Sequence, residues 1–126
     1  MKRIIMKTES IGDLIIELYE DKSPITVKTL LENLPIEARA LKWGGEIFFE
    51  VPFFLEVKEN QKEVMDPGEV AYWALGKSIC IFYGPTPASF KDEIRAVEPV
   101  NVIGRVVGDP KELAKIRIGE KVVLTS

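Results

Sequence analysis

The sequence predicts a mainly β fold: a closed antiparallel barrel of roughly eight short strands, capped by one or two helices. Three observations carry this. Short alternating apolar stretches recur along the chain and arrive as hairpins, not as strand–helix–strand units. Only two places carry helix-start chemistry, Ser23-Pro24 and Asp109-Pro110. The 126 residues are 46% hydrophobic and 29% charged, which suits a single globular domain over residues 1–126 with a core of its own.

Taken in order, Arg3–Thr8 alternates as a strand with Ile4 and Met6 on one face. After a turn at Glu9–Gly12, Asp13–Glu20 places Leu14, Ile16 and Leu18 opposite Asp13, Glu17 and Tyr19, so the two strands form a hairpin with one wet face. Ser23 is a natural N-cap, Pro24 suits the first helical position, and Val27, Leu30, Leu31 and Leu34 form one stripe before Pro35 ends the helix. Ile36–Lys42 reads as connecting chain with room for a helical turn, and Trp43-Gly44-Gly45 as a break. Glu46–Val57 reads as a strand bent or bulged at Pro52, Lys58–Glu63 as a charged exposed loop, and Asp66–Glu69 as a Pro-Gly turn. Gly68–Pro87 is the centre of the chain: strands at Val70–Ala74 and Ser78–Tyr83 flank a Gly-Lys turn, and a rigid Gly-Pro-Thr-Pro exit follows. Ala88–Val97 reads as a mixed-charge loop and Val100–Val107 as a strand with Asn101 and Arg105 on one face. Asp109, Pro110 and Glu112 open a short helix ending near Ile116, and Lys121–Thr125 is the last strand.

Composition narrows the chemistry. The chain has no histidine, which removes a His general base, a Ser-His-Asp arrangement and a His-based zinc site. One cysteine, Cys80, makes neither an intrachain disulfide nor a multi-cysteine metal site, and no acidic loop suits a hard metal, so neither metal nor cofactor is expected. A net charge of −3 with scattered Lys and Arg argues against nucleic acid as partner. The start lacks signal-peptide character and no stretch approaches the roughly 20 apolar residues of a membrane span. The expectation is a cytoplasmic protein in a reducing compartment, with no membrane partner. The ionic content would also suit a heat-adapted, thermostable protein.

Two stretches resemble cyclophilins. Gly12–Pro35 (GDLIIELYEDKSPITVKTLLENLP) is similar to the opening strand, acidic turn and first helix of that family. Pro99–Ile116 (PVNVIGRVVGDPKELAKI) is similar to its late valine-rich strand and the short helix after it, and Pro85-Thr86-Pro87 matches a triplet it often carries. The middle departs. Where cyclophilins carry the arginine that polarises the prolyl amide this chain has Glu50, and Glu56 falls near a family glutamine. Ala88 or Ser89 stands where a tryptophan follows the triplet, and Asn101 occupies the neighbourhood of the cleft histidine. The chain is most similar to small prokaryotic cyclophilin-like proteins of unknown function that lack the isomerase residues. That resemblance implies the eight-stranded barrel and a degenerate groove.

The expected ligand-binding residues are Phe49, Glu50, Phe54, Glu56, Tyr72, Trp73, Cys80, Phe82, Thr86 and Asn101, with no catalytic residue assigned. Phe49, Phe54 and Phe82 would keep an apolar pocket. Glu50 and Glu56, six apart on one strand, share a face by the period of two and would favour amine-bearing ligands. Trp43, Tyr72, Trp73 and Thr86 would form the rim. Cys80 reads as a core thiol, since no histidine exists to activate it. The function expected is a binding module for a peptide or small molecule without efficient prolyl isomerisation. The alternative is an enzyme or enzyme subunit of small-metabolite amide hydrolysis, by likeness to the cyclophilin-like domains of oxoproline and allophanate systems; residual isomerase activity stands third. An exposed Phe48–Phe54 edge would let two copies pair as a homodimer.

Overall fold

The computed structural model describes residues 2–126. In chain order the elements are β1 Arg3–Thr8, β2 Gly12–Leu18, α1 Pro24–Glu32, β3 Ile36–Arg39, β4 Leu41–Trp43, β5 Glu46–Glu50, β6 Gln61–Met65, β7 Glu69–Trp73, β8 Ser78–Phe82 and β9 Ile94–Val107, then a 3-10 helix at Pro110–Lys115 and β10 Lys121–Thr125. The fold is mainly β, and all the pairings are antiparallel. The ladder runs β3-β10-β1-β2-β9-β7-β8-β5-β4, with β6 added to β9. This corrects the expected closed eight-stranded barrel: there are ten strands, and the ladder stays open between β3 and β4. Those two ends are joined through the chain instead, by the buried Ala40, so one bent segment serves both ends of the sheet.

Further corrections follow from tertiary pairing. Ile36–Lys42 is not loop or helix: Ala38 pairs with Val122 and Lys42 with Ile47. The strand from Glu46 stops at Glu50, ahead of Pro52, and 51–60 runs as irregular chain. β6 occupies much of the expected charged loop, and β9 begins at Ile94, six residues before the expected Val100, because its first half pairs with β6. β5 lies between β4 and β8, so the phenylalanine-rich stretch is not a free edge.

Two cores explain the alternation. Val70 and Tyr72 of β7, with Ile79 and Ile81 of β8, face the main core beneath α1. Ala71 of β7, with Cys80 and Phe82 of β8, faces a second, smaller core covered by β9, through Ala96, Val100 and Val102. A central hairpin buried on both faces reads as an almost continuous apolar run, which is why SICIF carries no wet face. In β9 the register against β7 slips between Val102 and Gly104, making Ile103 the extra residue of a bulge. The bulge reverses the side-chain parity: Asn101 is 3% exposed while Arg105 lies on the surface bonded to Glu17 at 2.9 Å.

The helix cap is also a tertiary choice. Ser23 occupies the N-cap position, but its hydroxyl donates to the Val102 carbonyl at 2.8 Å. The cap is Glu59, whose carboxylate accepts from the backbone N–H of Ile25 at 2.9 Å and of Thr26 at 3.0 Å. A carboxylate there meets both the free amides and the positive end of the helix. At the 3-10 helix the expected Asp109 cap is present, accepting from Lys111 N–H, while Glu112 pairs with Lys115.

Candidate functional site

The irregular segment 51–60 is held from below. The Tyr72 hydroxyl donates to the Phe53 carbonyl and accepts from Leu55 N–H, and its ring stacks on Phe53 at 5.4 Å. Asn101 uses its whole amide: Oδ1 accepts from Glu59 N–H and Gln61 Nε2, and Nδ2 donates to the Val57 carbonyl and Thr26 Oγ1. These bonds hold open a groove of about 480 Å³ between segment 54–61, the end of β7 and the middle of β9. Phe54, 55% exposed, and Leu75, 80% exposed, stand among the residues lining it. Glu56, Lys58 and Glu98 are the charged residues along it, and none of its lining residues is an arginine.

Trp73 is a wall. Its indole Nε1 donates to Glu98 at 2.6 Å, and its ring meets Phe48 edge-on at 6.2 Å. A Cβ at Gly76 would fall 2.2 Å from the indole, so the Gly-Lys turn needs glycine to let the ring lie against it. Trp73 also lines a second, apolar cavity of about 210 Å³, together with Trp43, Phe48, Phe82, Glu46 and Cys80.

Of the ten expected site residues, Phe54, Glu56, Tyr72, Trp73 and Asn101 line the groove, and Trp73, Cys80 and Phe82 line the smaller cavity. Tyr72 and Asn101 support the groove with polar atoms already engaged by segment 51–60, Gln61 and Thr26. Phe49 is fully buried in the main core. Glu50 lines a separate depression with Pro35, Ile36, Glu37, Val51, Pro52 and Lys77, so the structure parts it from Glu56: the strand ends before the parity argument reaches that far. Thr86 ties the Gly-Pro-Thr-Pro loop to β9, its hydroxyl donating to the Arg95 carbonyl. That loop also locks on the break at Gly44-Gly45: Gly45 N–H donates to the Pro85 carbonyl, and a Cβ on Gly45 would fall 2.2 Å from Gly84.

The residue that sequence reasoning passed over is Glu46. It opens β5 opposite Trp43 and Phe82, is 5% exposed, and faces the Cys80 thiol. Burial pushes its carboxyl up to about 7, against a smaller lowering by the Cys80 hydrogen bond. Burial, then the neighbouring Glu46, raise the Cys80 thiol well above its ordinary range, which keeps it protonated and inert as a nucleophile. The available signal was its place directly after the Gly-Gly turn, in phase with Phe48.

A family model for cyclophilin-like proteins matches residues 2–125. The chain belongs to the cyclophilin-like family. Among solved structures it is similar to the solution structure of the hypothetical protein AF2241 from Archaeoglobus fulgidus, at 41% identity and a TM-score of 0.81, covering 98% of this chain and 92% of that one. No curated protein matches this cyclophilin-like chain. Among the described residues no helix is long and apolar enough to cross a membrane.

Proposed function

We propose that this cyclophilin-like chain is a ligand-binding module whose groove takes a peptide or small molecule without efficiently isomerising prolyl bonds. The observation that carries the reading is the preorganised groove: its supporting polar groups bond one another, while Phe54, Trp73 and Leu75 are left to a ligand. Rigid walls lower the ordering cost of binding. Isomerisation needs a donor aimed at the prolyl nitrogen, since the amide barrier is about 18–20 kcal/mol and electrostatic help is the main lever on it. Here the Trp73 N–H is engaged by Glu98 and the Asn101 amide by the backbone and its neighbours, which leaves Lys58 as the one cationic side chain along the groove. An acid–base pair has no support from the geometry, because Glu50 and Glu56 line different depressions.

The test is an NMR titration with a short proline-containing peptide, following protein amides and the exchange between cis and trans peptide signals. Saturable shifts at Phe54, Gln61 and Leu75 with unchanged exchange support the module. Accelerated exchange would make the groove an isomerase. Silence at those amides would remove the peptide and move the search to small metabolites.

A further inference from the structure

The second cavity shares only Trp73 with the groove's lining and has its own chemistry. Four aromatic side chains, Trp43, Phe48, Trp73 and Phe82, surround a single buried carboxyl, Glu46. The first half of β9 closes it from outside, and that half is pinned by Thr86 on the Arg95 carbonyl and by Arg95 on Glu63 and Glu93. Val97, 55% exposed, stands among its lining residues and opens toward solvent. At about 210 Å³ it exceeds the roughly 150 Å³ of an apolar cavity that takes up benzene.

We propose that this cavity is a binding site for a small apolar amine, its ammonium group seated on Glu46 and its hydrocarbon body between the aromatic walls. Charge decides the class of ligand. Cys80 is the only other titratable residue lining the cavity, and neither β4, β7 nor β9 presents a cation to it. An ionised carboxylate so placed has lost water without gaining an ion partner, an arrangement costly enough that the group holds its proton instead. An ammonium ion supplies the missing charge, and aromatic faces attract cations in their own right. A carboxylate or phosphate ligand would meet Glu46 with like charge and no basic residue. A neutral hydrocarbon would leave the carboxyl as it was. Cys80 takes no covalent part; its buried thiol stays protonated beside Glu46.

The site is separate from the groove, and the experiment keeps the two apart. The full chain is titrated with 2-phenylethylammonium chloride and with neutral 2-phenylethanol, following backbone amides by NMR, for the native protein, Glu46→Gln and Phe54→Ala. The expected result is saturable shifts at Cys80, Phe82 and Ala96 with the amine. Glu46→Gln weakens the amine by about tenfold or more and leaves the alcohol unchanged, because only the charge pair is lost. Phe54→Ala, a groove variant, leaves amine binding intact. In the native protein affinity for the amine falls between about pH 8 and about pH 5 as Glu46 takes up its proton; this reading stands even if Glu46→Gln fails to fold. No saturable shift at those amides, equal amine binding by Glu46→Gln, a flat pH profile or an alcohol that binds as tightly as the amine would each overturn the proposal.

Discussion

Glu46 shows how one side chain changes character with its surroundings. Its carboxyl is lifted from an ordinary 4.5 to about 7 by burial among Trp43, Phe48 and Phe82. The folded protein therefore keeps a proton that the unfolded chain releases, and stability falls as pH rises from about 4.5 through about 7, then levels. The span is on the order of 3 kcal/mol. Glutamine cannot ionise, so Glu46→Gln should be the more stable protein at pH 8, with the gap narrowing toward pH 5. Urea midpoints at the two pH values read this directly; equal midpoints at pH 8 would mean that the carboxylate is ionised without penalty. Cys80 is the buried core thiol its alternation with Ser78 and Phe82 predicts, but the one local mark of Glu46 is its phase with Phe48, because the strand that closes over it, β9, lies some fifty residues later in the chain.

Among the elements, segment 51–60 and α1 depend on each other. Glu59 caps the helix through Ile25 and Thr26, and the same segment forms the groove wall. Loss of such a cap costs about 1–2 kcal/mol. Glu59→Ala should lower stability by that amount and speed hydrogen exchange at the amides of 54–58, loosening the groove as well as the helix. Native-like exchange in that segment would show that Tyr72 and Asn101 suffice to hold it. The sequence placed α1 correctly from Pro24 and the Val27–Leu30 stripe, yet named Ser23 as the cap. Ser23 has the right chemistry; the Val102 carbonyl and the carboxylate of Glu59 are simply positioned by the fold to take both roles.

For the whole molecule, membership of the cyclophilin-like family speaks for the fold and leaves the activity to the site. Alignment by resemblance puts Glu50 where an isomerase has its arginine, but Glu50 shares no depression with the groove. Glu50→Arg should therefore change neither peptide-induced shifts nor cis–trans exchange. A rise in exchange with that single change would restore the alignment and bring β5 back into the groove.

The sequence by itself determined the mainly β class, most strands, the early helix, the presence of a short late helix and the family, because these rest on local periodicity, turn chemistry and motif order. Only the tertiary structure decided that the ladder stays open at Ala40, that Ile36–Trp43 is strand, and that the first half of β9 folds over a second core. Each of these depends on a partner distant in sequence. The four residues of β3 have no signal until β10 lies beside them, and a glutamate at the start of a strand is a wet residue until another strand closes over it.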